Sequence, residues 1–198
     1  MRRLLAGSLA LLLLLSGCAR RPERADDGAR WEEDWEMLGS VMGVEAPGHE
    51  LRLLDNASVL AGEDTYYATW VVGEGAPYTN ADGEATELYP AQLYLLLYGC
   101  ADAAQAEQTV GDWLARERGQ YAVLETQEQT HNAQPYTVLV YDVVSETNPY
   151  ARGASAFGVL GRYAIAAEFT CTADYEGDAA EVLSDVLDGC HYSAAADK

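Results

Sequence analysis

Runs in which every second side chain is apolar recur from residue 65 onward, the period expected of strands with one face turned inward. Thr65 to Val72 sets Tyr66, Ala68, Trp70 and Val72 on one face, and Ala91 to Tyr98 does the same with Ala91, Leu93, Leu95 and Leu97. Tyr121–Gln129, Tyr136–Val144, Ala154–Leu160 and Arg162–Thr172 continue the pattern and are rich in the Tyr and Val that suit a pleated surface. Two segments change to helical spacing. Ala106, Val110, Trp113 and Leu114 fall at i, i+4, i+7 and i+8, and Ala179, Val182, Leu183, Val186 and Leu187 at i, i+3, i+4, i+7 and i+8. Asp102 with Gln105 and Asp178 with Glu181 have the three-residue spacing of a capping box, while Gly119 and Gly189 stand where left-handed stops would fall.

Each helix has one apolar face, which has to be buried against the sheet. The Trp113 and Leu183 stripes are therefore core, not a cofactor box. The order is strand, strand, helix, four strands, helix, with connections short enough for antiparallel neighbours. It predicts an α+β fold, a mostly antiparallel sheet of five or more strands packed with two main helices. The central helix ending at Trp113 to Gly119, the meander from Tyr121 to Cys171, and the closing helix Asp178 to Gly189 followed by Cys190-His191-Tyr192 carry a resemblance. Over residues 51–193 the chain resembles the PsbP-like sandwich, whose superfamily includes photosystem II extrinsic proteins, a Ran-binding nuclear protein and bacterial lipoproteins. The resemblance implies an accessory or binding protein, not an enzyme, and brings no catalytic residues and no cofactor with it.

The N-terminus carries an address. Met1-Arg2-Arg3, an apolar run from Leu4 to Leu15 and the closing Leu15-Ser16-Gly17-Cys18 resemble a bacterial lipoprotein signal. The run is too short for a spanning helix, which needs about 20 residues. The expectation is cleavage before Cys18, lipidation of Cys18, and a location on the extracytoplasmic face of a bacterial membrane. The chain then divides into a signal peptide (1–17), an acidic tether (18–48), one domain (49–193) and a tail (194–198). The tether holds Trp31, Trp35 and Met37-Leu38, which also suit a short helix docked on the domain.

Charge narrows the partners. The chain carries a net charge of −20, and loss of residues 1–17 removes Arg2 and Arg3 and no acid, which leaves −22. A nucleic-acid surface needs a basic stripe and a polybasic membrane patch needs clustered Lys and Arg; the sole lysine is Lys198. Membrane contact is thus expected through the lipid alone, and the acidity reads first as a solvated surface. Three further cysteines remain. Cys171 and Cys190 stand at opposite ends of a strand–helix unit, about 20 Å apart, beyond the ~7 Å reach of a disulfide. Cys100 occupies the place equivalent to Cys171, after a strand and before a helix, so Cys100–Cys171 is the pair expected, with three free buried thiols as the alternative.

Few residues stand in a pattern that points to chemistry. Ser155 in Gly153-Ala154-Ser155-Ala156-Phe157 lacks the second glycine of a nucleophile elbow. His49, His131 and His191 have no zinc-ligand spacing, and His131 reads as an exposed turn residue. Asn80, Asp82, Glu84 and Glu87 fail the EF-hand pattern and read as turn chemistry. Asp142 and Glu168 interrupt apolar strand faces, which a strand edge or pairing with Arg152 or Arg162 would explain. Candidate partner-binding residues are Tyr150 and Arg152 in the loop Glu146–Gly153, residue types enriched at binding hot spots, and Tyr66 and Trp70 on the first long strand. The function expected is a non-enzymatic, lipid-anchored accessory to another envelope protein. The alternative is small-molecule or metal-ion binding in a pocket between helix and sheet, using Tyr66 or Trp70.

Overall fold

A computed structural model describes residues 42–44, 49–54, 65–145 and 147–192. In chain order the elements are β1 (Met42–Val44), β2 (Leu51–Leu53), β3 (Thr65–Val72), β4 (Ala76–Thr79), β5 (Ala85–Leu88), β6 (Ala91–Gly99), α1 (Ala103–Gln120), β7 (Ala122–His131), β8 (Gln134–Asp142), β9 (Arg152–Leu160), β10 (Tyr163–Cys171), α2 (Ala179–Asp188) and β11 (Cys190–Tyr192). Seven of the strands form one sheet in the order β2-β3-β6-β10-β9-β8-β7, every pair antiparallel. The fold is α+β, as the periodicity predicts, and the two helices cover opposite faces of the central strands β9 and β10.

The two faces differ in chemistry. Beneath α2 the core is almost wholly apolar: Val182, Leu183, Val186 and Leu187 pack on Leu93, Leu95, Leu97, Ile165 and Phe169. Beneath α1 it is aromatic, with Trp113, Tyr67, Tyr94, Tyr121, Tyr141 and Phe157. Both expected N-caps form. The Asp102 carboxylate accepts from the Gln105 N–H at 2.8 Å, and that of Asp178 from Ala180 and Glu181 at 2.8 and 3.1 Å. The expected left-handed stops do not. α1 continues through Gly119 to Gln120, and Gly189 keeps right-handed geometry at φ −83°. At α2 the end is closed from outside, because the Asn132 side-chain amide donates to the carbonyls of Asp188 and Cys190, each at 2.7 Å.

Strand register sorts the connections to two ends of the sheet. Ala122, Asp142, Arg152, Cys171, Ala91 and Val72 are level with one another, so the β3–β6 and β8–β9 connections leave from one end, the loop end. His131, Gln134, Leu160, Tyr163 and Gly99 mark the other, the turn end. Here β11 follows α2 and pairs with β1, so the segment read as tether contributes a strand to the fold. The β3–β6 connection, read as a loop, contains the hairpin β4–β5, a separate two-stranded sheet. Its strands are mostly exposed and so lack the alternation that announces a half-buried strand.

The expected Cys100–Cys171 disulfide is not formed; Cys100, Cys171 and Cys190 are free and buried. Equivalent positions on antiparallel strands lie at opposite ends. Cys171 is level with Ala91 and Cys100 follows Gly99, about 30 Å along β6. Cys100 also belongs to the α1-side core and Cys171 to the α2-side core. Burial raises the Cys190 thiol to about 12.

Candidate functional site

The loop end is built from three segments. The β4–β5 turn is shaped by Asn80, whose side-chain oxygen accepts from the N–H groups of Asp82 and Glu84 and whose amide donates to the Glu84 carboxylate. Gly83 supplies the left-handed residue, φ +82°. In the β8–β9 connection, the Asn148 side-chain oxygen accepts from the Tyr150 N–H at 3.0 Å. Between the two turns lies a cleft of about 330 Å³, walled by Tyr78, Thr79, Asn80 and Ala81 on one side and Thr147, Asn148 and Pro149 on the other. The third segment is the start of β7. Its register shifts between Val123 and Glu125, and a bulge of this kind re-aims a side chain. Leu124 is 65% exposed, and Val144, just past β8, is 69% exposed. No other large apolar side chain among the described residues is exposed to that degree; the next is Tyr98, at 37% and at the turn end.

Of the expected contact residues, Tyr150 and Arg152 brace this end. Tyr150 is 8% exposed, and the half-buried Arg152 donates from its guanidinium to the carbonyls of Tyr175 and Gly177 on the segment leading into α2. Trp70 packs half-buried against the α2-side core, and Tyr66 stands opposite Leu97 of β6. Cys18, Trp31 and Trp35 lie outside the described residues. The cleft lies between two loops. Among the described residues no group of three or more His, Cys, Asp and Glu is placed to hold a metal ion, and no helix is long and apolar enough to cross a membrane.

Behind the loop end, under the last turns of α1, lies a buried polar network. The Ser155 hydroxyl donates to the Tyr141 hydroxyl at 3.1 Å, and Tyr141 donates to Glu168 Oε1 at 2.8 Å. Tyr121 reaches the same oxygen at 3.5 Å, its ring stacked on that of Tyr141 at 4.2 Å and 3°. Gly153 permits this: a Cβ there would meet the Tyr141 hydroxyl at 2.8 Å and the Phe169 carbonyl at 2.9 Å. Glu117 of α1 is 8% exposed, and its Oε2 is buried with no hydrogen-bond partner among the described residues. Burial first, then the Glu168 carboxylate, pushes Glu117 up to about 8, opposed by Arg116. Burial also raises Glu168, opposed by the hydrogen bonds from Tyr141 and Tyr121 and by Arg116. The phenols of Tyr94, Tyr121, Tyr141 and Tyr150 are all raised, burial being the main cause. Ser155 gives its proton to a neutral phenol and is 1% exposed, an arrangement without a base or substrate access.

Glu168 thus pairs with tyrosines, not with Arg152 or Arg162, and Asp142 is an exposed strand end. Glu117 escaped the sequence pattern, although it lies on the stripe of Ala106, Val110 and Trp113. His131 is buried, not exposed. Its Nδ1 lies 2.7 Å from Asp188 and its Nε2 2.9 Å from Gln129 Oε1, contacts that fasten the β7–β8 turn to the end of α2. His49 Nε2 meets Asp185 at 2.8 Å.

No family model and no curated protein matches the chain. Among solved structures, the solution structure of cyanobacterial PsbP (CyanoP) from Synechocystis is similar at TM-score 0.39 and 7% identity, covering 78% of this chain and 94% of that one. A crystal structure from Bacteroides thetaiotaomicron is similar at TM-score 0.36 and 9% identity, over 78% of this chain and 46% of that one, so the chain spans less than half of its length. The expected likeness to PsbP-like proteins has a counterpart here, and at these scores it assigns no family.

Proposed function

We propose that the protein is a lipid-anchored, extracytoplasmic accessory protein that acts by binding another envelope protein and catalyses no reaction. The anchoring rests on Leu4–Leu15 and the Leu-Ser-Gly-Cys closing at Cys18. The observation that carries the binding role is that the two most exposed large apolar side chains among the described residues, Leu124 and Val144, both stand at the loop end, where a cleft also opens. Exposed apolar surface rimmed by polar residues is a mark of interaction sites. The N-terminal segment joins the fold at the turn end, through β1 and β11.

Crosslinking in intact cells, followed by mass spectrometry of captured proteins, tests this reading. The expected outcome is one reproducible envelope partner, lost with Cys18→Ala and reduced with the double variant Leu124→Ser/Val144→Ser. Undiminished capture by the double variant would overturn the assigned surface, and undiminished capture by Cys18→Ala would overturn the role of the anchor.

A further inference from the structure

We propose that Glu117 and Glu168 form a proton-binding site between α1 and the sheet, in which the pair holds one proton, carried on Glu117, and its release lowers the stability of the fold. The geometry separates the two roles. Glu168 accepts from the Tyr141 hydroxyl at 2.8 Å and is approached by that of Tyr121 at 3.5 Å, and hydrogen bonds donated to a carboxylate favour its charged form. Glu117 has no such donors. Its Oε2 is buried and unpartnered among the described residues, and a buried charge without partners is costly enough that the group neutralises instead. With the negative charge of Glu168 beside it, a second charge on Glu117 is opposed by burial and by like-charge repulsion together.

The groups facing the pair come from every element packed on it. Arg116 comes from α1, Tyr121 from its end, Tyr141 from β8, and Tyr94 from β6, while Tyr150 comes from the β8–β9 connection. The phenols are held protonated by burial, and an arginine stays charged throughout the accessible range. Glu117 is therefore the member that titrates near neutrality, up at about 8 against an ordinary 4.5. A carboxyl whose folded-state value is raised binds more protons folded than unfolded between those values. Its contribution is full below the unfolded value, declines as pH rises through the window, and is gone above the folded value.

Two measurements on the purified full chain test the site. Side-chain carboxyl NMR with labelled glutamate is expected to show the Glu117 resonance titrating near 8; a midpoint near 4.5 would overturn the proposal without recourse to any variant. Thermal unfolding between pH 5.5 and 8.5 is expected to show Tm falling by about 5 °C or more, with most of that fall removed in Glu117→Gln and kept in the exposed control Glu125→Gln. His49 and His131, paired with Asp185 and Asp188, are common to all three proteins, so the difference between variants isolates Glu117. An equal fall in wild type and Glu117→Gln would refute the site.

Discussion

The turns at the two ends of the sheet are held by different means. At the turn end, polar side chains reach across the fold and close it. Asn132 caps the carbonyls of α2, His131 bridges Asp188 and Gln129, and β1 lies along β11. At the loop end Arg152 and Thr172 brace the base across segments, but the turns above it are held by their own side chains, as by Asn80 and Asn148, and Leu124, Val144 and a cleft face out. Closure by long-range hydrogen bonds satisfies helix-end carbonyls that water would otherwise have to serve. Self-contained turns on a braced base make a shaped surface, the form that the proposed recognition requires.

Substitutions at the two ends separate stability from capture. The largest loss of stability is expected for Tyr150→Ala, about 3 kcal/mol, because a buried aromatic is replaced by a cavity; its capture falls only as its base gives way. Arg152→Ala follows at about 1–3 kcal/mol, since the carbonyls of Tyr175 and Gly177 lose their donor. Asn132→Gly keeps the positive φ of 49° and removes only the capping amide, for an expected loss of about 1 kcal/mol with capture untouched. Val144→Ser is expected to lie within about 0.5 kcal/mol of wild type while lowering capture. Urea denaturation beside quantitative crosslinking measures both quantities. The distinction between the ends would collapse if Asn132→Gly impaired capture as much as Val144→Ser.

Both helices were legible because each buries one face, as the stripe from Ala179 to Leu187 does, whereas β6, β9 and β10 are buried on both faces and were legible as apolar runs of strand length bounded by turns. Asp102 and Asp178 were legible as caps because they act on amides two or three residues away. The hairpin β4–β5 was not, since exposed strands such as Ala85–Leu88 have no inward side to reveal. His131 looked like an ordinary turn residue because its partner Asp188 stands 57 positions away, and the carbonyls that Asn132 caps are as distant, at 56 and 58. Tyr150 and Arg152 have the residue types of a hot spot, and only the carbonyls of a segment more than twenty residues later show Arg152 to be a brace. Glu117 was within reach, because a carboxylate in register with Trp113 on an apolar stripe has to be buried.

The most direct measurement is photocrosslinking in intact cells from two single positions, Val144 at the loop end and the exposed Thr130 near the turn end, each carrying the same photoreactive side chain. Capture of one envelope protein from Val144 and not from Thr130 is the expected result. Capture from Thr130 alone, or equally from both, would contradict the assignment of recognition to the loop end.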